Sequence, residues 1–334
     1  MTGLLTQRVQ DAVDALLTGG LVALPTETVY GLGADADNPR AVARVYAVKG
    51  RPVDHPVIVH CASAADVDDW VRSFPDWARQ LASACWPGPL TLILPRSQRA
   101  RDYLTGGQQT VGVRVPGHPV MQEVLAGFGG AIAAPSANLF GRVSPTTAQH
   151  VLTELGGRLN PDTDRILDGG ACAVGVESTI IDATGEQPRM LRPGGISRDQ
   201  VEQITGRPVL VADGRIRSPG SLTTHYAPSA SVLLTEPSEA ADLLKRLSAG
   251  GSAATIGLIA LADVTVDLPE AVTRLSTPAD VTQYAKDLYA ALRSADDRGM
   301  DVVVAVLPAD HGVGTAVRDR LRRSAAERTS LEPS

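Results

Sequence analysis

The sequence predicts an α/β protein in two parts: an α+β-like first domain on a twisted mixed sheet, then a smaller α/β domain. Three observations carry this. Up to residue 208, short apolar runs of strand type and amphipathic helical stretches mix without a strict strand–helix–strand rhythm, which favours a mixed over a purely parallel sheet. From Asp213 to Ser229 the chain turns rich in Gly, Pro, Ser and Thr, as connectors do. Beyond that stretch strands and helices alternate regularly, the pattern of a small layered α/β domain. We place the first domain at 1–208, a linker at 209–230 and the second domain at 231–334.

The elements follow in order. Residues 6–18 read as an amphipathic helix with Val9, Val13, Leu16 and Leu17 on one face and Gly19-Gly20 as its stop. Leu21 to Leu24 reads as a buried strand, ended by Pro25 and a turn through Thr26 and Thr28. Asn38 before Pro39 is an N-cap with proline at the first helical position, and that helix delivers Lys49 and Arg51 at its C-terminal end. Strands are expected at 57–60, 90–94, 111–115, 131–134 and 178–182, and helices at 75–85, 118–126, 146–155 and 197–204. In the second domain, strands near 231–234, 255–260 and 301–307 alternate with helices at 236–248, 278–297 and 313–326. The tail from Thr329 to Ser334 reads as frayed.

Composition narrows the function. Apolar residues at 43% and charged residues at 20% describe a soluble globular chain of 334 residues, long enough for two domains. A formal charge of −6 argues against a sequence-independent nucleic-acid coat, though not against a local cationic cleft. No apolar run reaches the length of a membrane span, and the N-terminus lacks a signal-peptide pattern. Cys61, Cys85 and Cys172 are odd in number and scattered, so a disulfide framework is not expected and a reducing cytoplasm is the default. The histidines never take metal-ligand spacing, so no zinc site is expected.

Two distant stretches ask for an anion with a nucleoside attached. One runs from Pro25 to Gly33 and on to Lys49-Gly50-Arg51-Pro52; the other is Pro135-Ser136-Ala137-Asn138, followed by Gly141 to Pro145. An Arg offers a planar fork to phosphate and a Lys a point charge. On spacing alone, Lys49 and Arg51 also read as a solvated pair favoured by the helix dipole, and Ser136 with Asn138 as a self-bonding turn. Arg114 lies in an apolar strand, where it faces solvent or, if buried, needs a partner such as a bound carboxylate. His60 at a strand end reads as a structural histidine or a ligand, Ser178 and Thr179 share that ambiguity, and Arg192 is a cation at a strand end before a Gly-rich turn, where α/β sheets bind ligands. There is no Walker sequence, no dinucleotide fingerprint and no nucleophile elbow, which leaves positioning and electrostatics as the mode of catalysis.

These segments, together with Ser144 to Ala148, Val176-Glu177-Ser178-Thr179 and Leu191-Arg192-Pro193-Gly194, resemble the YrdC family, whose hallmark is Lys-x-Arg with a distant Ser-x-Asn. Ser218-Pro219-Gly220 with His225 to Pro228, and Gly312 to Val317 with Arg320-Leu321, resemble its long two-domain form. The resemblance implies a mixed sheet around a large cationic concavity, a linker folded across it as a lid, and a Rossmann-like second domain. It implies threonylcarbamoyl-AMP synthesis from L-threonine, bicarbonate or CO2, and ATP, with release of pyrophosphate. Threonine would be held by Thr28, His60, Arg114, the backbone at Ala134, and Ser178. ATP would be held by Arg51, His55, Thr110, Ser136, Ser144, Arg192 and Tyr226, with Mg2+ bound through its phosphates. Lys49, Arg51, Ser136 and Asn138 form the catalytic hallmark.

The product would feed formation of N6-threonylcarbamoyladenosine through a tRNA threonylcarbamoyl transferase complex, with room for a weak tRNA or double-stranded RNA contact. Two departures stand out: His55 where relatives often have Asn, and Ser221-Leu222-Thr223-Thr224 where many carry Met, Tyr and a basic residue. Competing readings are a non-catalytic RNA-binding module, weakened by the acidic charge, and a carbamoyl-transferring relative, weakened by the small cysteine-poor remainder after residue 230.

Overall fold

The computed structural model describes residues 3–212, 214, 216–219, 226–249 and 254–326. Two compact units divide it, one of Met1–Phe140 with Ser144–Ser221 and one of Gly141–Val143 with Leu222–Ser334. His225, Arg215 and Ser221-Leu222-Thr223-Thr224, singled out in the linker, lie outside the described residues, as does the tail from Thr329.

The first unit is built on β1 (Leu5–Thr6), β2 (Val22–Leu24), β3 (Gly31–Asp35), β4 (Ile58–His60), β5 (Leu90–Pro95), β6 (Thr110–Arg114), β7 (Ile132–Ala133), β8 (Arg165–Leu167), β9 (Thr179–Asp182), β10 (Arg189–Arg192) and β11 (Leu210–Val211). Among the described residues they form one sheet in the order β1-β8-β2-β3-β7-β4-β6-β5-β9-β10-β11. Parallel pairs such as β4–β6 and β5–β9 alternate with antiparallel pairs such as β2–β3 and β5–β6, so the sheet is mixed, as the irregular rhythm predicted. Its principal helices are α1 (Val9–Leu17), α2 (Pro39–Lys49), α4 (Asp76–Cys85), α6 (Pro119–Phe128), α7 (Ala148–Leu155) and α8 (Arg198–Thr205), with single turns α3 (Ala64–Val67) and α5 (Asp102–Thr105).

The first helix differs from the sequence reading, for tertiary reasons. α1 starts at Val9 rather than residue 6, because Leu5 and Thr6 pair with Ile166 and Leu167 as a strand. Its buried stripe runs through Ala12, Val13, Ala15 and Leu16, and Leu17 is 62% exposed. With few aromatics the core is mostly Ala, Val, Leu and Ile, but Trp70, Trp77 and Trp86 are all buried in it.

α2 is the element that matters most for the site. The Asn38 side chain accepts from the backbone N–H groups of Arg40 and Ala41, and Pro39 occupies the first turn, as predicted. At the other end Gly50 takes φ 62°, a left-handed cap that glycine adopts without steric cost. The helix therefore stops at Lys49 and turns the chain back towards Arg51. Far from that end, the buried Asp164 carboxylate receives Arg44 at 2.8 and 2.9 Å and the Leu21 N–H at 2.9 Å, which ties α2 to the start of β2.

The second unit has β12 (Ser231–Thr235), β13 (Ile256–Ile259), β14 (Val272–Ser276) and β15 (Val302–Val306), with α9 (Ala240–Ala249), α10 (Val281–Asp297) and α11 (Val313–Ala325). All its strand pairs are parallel, in the order β12-β15-β13-β14. That is the expected small α/β layer, with β14 as a strand the sequence pattern did not reveal. No helix among the described residues is long and apolar enough to cross a membrane.

Candidate active site

The turn after β2 opens the site. Thr26 Oγ1 donates to Val29 O at 2.6 Å and lies 2.8 Å from Thr28 Oγ1, so the threonines stiffen the turn and fix the direction of the Thr28 hydroxyl. Arg114, the last residue of β6, donates from Nη1 to Thr28 Oγ1 at 3.0 Å and from Nε to Gly88 O at 3.2 Å. His60, the last residue of β4, is its register partner. Arg114 is not solvated: its side chain is 4% exposed and its Nη2 stands 2.8 Å from Glu27 Oε1.

Electrostatics at this end follow from burial. Desolvation first, and Arg114 second, push the His60 imidazole down to about 3, so it is neutral at physiological pH. Burial pushes the Glu27 carboxyl up, while Arg114 pulls it down and leaves it below its ordinary value. Glu27 had no role in the sequence reading, although it stands inside the threonine-rich motif.

Ser178 precedes β9, and its hydroxyl lies 2.7 Å from Thr91 Oγ1 on β5. Arg192 ends β10 and grips it: Nε and Nη2 donate to Ser178 O at 3.1 and 2.9 Å, and Nη2 to Ser178 Oγ at 3.0 Å. A β-carbon at Gly194 would sit 2.3 Å from Thr179 N, so only glycine lets this turn pass so close to β9. Register places the end of β6, the starts of β5 and β9 and the end of β10 at one sheet edge, which gathers Arg114, Ser178 and Arg192 from remote parts of the chain. Ser144 is buried and donates to Glu177 Oε1 at 2.6 Å, a second carboxylate with no role in the sequence reading.

The hallmark pair of motifs is one physical unit. Lys49 is 2% exposed and its Nζ donates to Ser136 O at 2.5 Å and also to Asn138 O. Phe140 N returns a bond to Lys49 O at 2.9 Å. Ser136 is bridged to Gly31, and Leu32 N donates to Pro135 O, so the Ser-x-Asn loop is clamped between α2 and β3. Desolvation, then the nearby Arg51, lower the Lys49 ammonium well below its ordinary value. The solvated-pair reading thus fails for Lys49. Arg51 is buried too, with Nη2 on Pro56 O at 2.9 Å and its guanidinium 5.6 Å from the Phe140 ring centre.

The remaining candidates are placed as follows. His55 is half-buried and meets Phe140 edge to face at 5.3 Å. Thr110 begins β6, half-buried, and Ala134 follows β7, its N–H on Ile58 O at 3.0 Å. Tyr226 belongs to the second unit, where it is buried at φ 63°, with Tyr289 at 5.6 Å and Arg320 over its ring at 5.2 Å. Among the described residues no three His, Cys, Asp or Glu side chains converge as a metal cage would require.

Buried cations beside hydroxyls at the ends of elements are groups suited to an anionic small molecule on an α/β scaffold. Comparison with known proteins makes this specific. A family model for the Sua5, YciO and YrdC proteins, described as "Telomere recombination", matches residues 14–194, and one described as "Threonylcarbamoyl-AMP synthase, C-terminal domain" matches residues 196–326. Threonylcarbamoyl-AMP synthases of Bacillus subtilis and Pyrococcus abyssi are 39% and 38% identical, over 96% of this chain and 94% and 95% of theirs. The crystal structure of P. abyssi Sua5 complexed with L-threonine matches at TM-score 0.87 and 36% identity, covering 96% of each chain. The chain belongs to the threonylcarbamoyl-AMP synthase family, in its two-domain form, and is an enzyme of that class.

Proposed function

We propose that this chain condenses L-threonine, bicarbonate or CO2, and ATP into threonylcarbamoyl-AMP and pyrophosphate. The observation that carries this reading is the buried Arg114, whose guanidinium has five N–H donors, of which Gly88 O and Thr28 Oγ1 accept two. A ligand carboxylate would share the guanidinium with Glu27, whose Oε1 lies 2.8 Å from Nη2, and Ser178 and the neutral His60 supply polar groups for an amino acid's hydroxyl. The threonine nitrogen, once deprotonated, adds to the carbon of CO2 and loses a second proton, giving a carbamate. A carbamate oxygen then bonds to the α-phosphorus of ATP as the bond to pyrophosphate breaks.

Arg51 and Arg192 stabilise the charge that builds on the phosphates. Lys49 holds the Ser136–Asn138 loop in place beneath them, and Ser144, Thr110 and His55 complete nucleotide binding. Mg2+ bound through the nucleotide's phosphates would neutralise their charge; the carboxylates beside the site, Glu27 and Glu177, are engaged with Arg114 and Ser144. The product passes to a tRNA-modifying transferase complex in the cytoplasm, with weak contact to tRNA.

Pyrophosphate release from ATP and bicarbonate, with and without L-threonine, tests the reading. Release should depend on threonine and fall by roughly tenfold to a hundredfold in Arg51→Ala, as the loss of a charge-assisted hydrogen bond dictates. Threonine-independent release, or none from a folded protein that binds ATP, would sink it.

A further inference from the structure

Glu27 is the group at this site that the reading above leaves unused. Its Oε1 stands 2.8 Å from Arg114 Nη2, in a pair whose side chains are 13% and 4% exposed. Both carboxylate oxygens are buried, and the Arg114 guanidinium is the charged group beside them. Two buried carboxylate oxygens therefore lie beside a guanidinium whose Nε and Nη1 are already directed to Gly88 O and Thr28 Oγ1. Buried acceptors of this kind are costly unless a donor meets them.

An adjacent plus and minus charge, fixed in a buried place, is the complement of a zwitterion. An α-amino acid carries its carboxylate and ammonium on one carbon, so each can meet the opposite member of the Glu27–Arg114 pair. Arg114 alone would attract the carboxylate and repel the ammonium next to it; with Glu27 the pair is neutral and stays neutral when the zwitterion enters. We propose that Glu27 is a specificity-determining residue that reads the α-ammonium of the amino-acid substrate. This rests on the synthase reading given above.

Calorimetric binding of two ligands to the full chain tests it: L-threonine, and the 2,3-dihydroxybutanoate in which a hydroxyl replaces the ammonium. The wild type should prefer threonine, and Glu27→Gln should weaken threonine by roughly tenfold to a hundredfold, the range of one charge-assisted hydrogen bond, while changing the dihydroxy acid by less than about threefold. Equal losses for both ligands would mean that Glu27 only orients Arg114, and no loss for either would remove it from the site; both outcomes overturn the proposal and leave the synthase reading standing. If the wild type binds no threonine, both fall together. Should Glu27→Gln fail to fold, the wild type decides: equal affinity for the two ligands means that nothing reads the ammonium.

Discussion

Arg114 meets a carboxylate, Glu27, at 2.8 Å, whereas Lys49 meets backbone oxygens, those of Ser136 and Asn138. Both cations are almost fully buried, and both come from the residue that ends its element. A guanidinium paired with a side-chain carboxylate keeps its charge, and a ligand can share or exchange that partner. An ammonium held by two carbonyls instead fixes a loop, and desolvation lowers its hold on the proton. One end of the site is thus built to trade partners and the other to hold still.

Breaking the charge pair should have the largest effect. Arg114→Met would leave Glu27 as a buried charge without its cation, which costs about 3–5 kcal/mol. Urea unfolding measures this, and threonine binding should vanish with it. Adding Glu27→Gln to Arg114→Met removes the orphan charge and should restore part of the stability but none of the binding. If the double variant is no more stable than the single one, the pair is not the compensated unit described.

Lys49→Met comes next. It leaves the carbonyls of Ser136 and Asn138 buried without their donor, at about 1–3 kcal/mol each. Stability and threonine-dependent pyrophosphate release should fall together, because one side chain serves both. The Lys-x-Arg and Ser-x-Asn segments were legible in the sequence as a pair of anion-binding motifs, but the bonds between them were not. Spacing shows that Lys49 ends a helix; it does not show that the nearest oxygens are main-chain ones from a loop brought in by β3 and β7.

The same limit explains what the sequence concealed elsewhere. The capped helix α2 was readable because Asn38 and Pro39 act locally. β3 was not, since Gly31-Leu32-Gly33-Ala34 has little intrinsic strand preference and is held by pairing with β2 and β7. Glu27 looks like a solvated turn residue until Arg114 arrives from a distant strand. Its signal was a carboxylate between two threonines in an otherwise apolar turn. Glu177 was concealed in the same way, since Ser144 reaches it only through the fold.

The amino-acid end should also be the acid-sensitive one. His60 is held down to about 3 in the folded chain, by desolvation first and Arg114 second, against an ordinary value of 6.5. Below pH 6.5 the unfolded chain therefore binds a proton that the folded chain refuses, and stability is lost as pH falls towards 3. Between pH 7 and 5 this linkage alone amounts to about 2 kcal/mol. Glu27, also lowered, adds loss below its ordinary 4.5. Urea midpoints at pH 7 and 5 should converge in His60→Gln, and an unchanged slope would mean that the imidazole is not kept neutral by burial. Lys49, lowered by desolvation and then by Arg51, acts with the same sign: its contribution to stability is lost as pH falls below its ordinary 10.5.

The smallest effect isolates the helix from the chemistry it delivers. Asn38→Ala removes the acceptor for the Arg40 and Ala41 N–H groups and should cost about 1 kcal/mol. That residue lies at the opposite end of α2 from Lys49, and Arg44 with Asp164 still anchors the helix between them. Pyrophosphate release per folded molecule should therefore be unchanged while the melting temperature drops by a few degrees. Were turnover to fall with the cap, the position of Lys49 would depend on the whole helix rather than on the two carbonyls that receive its ammonium, and the clamp would belong to α2 instead of to the loop.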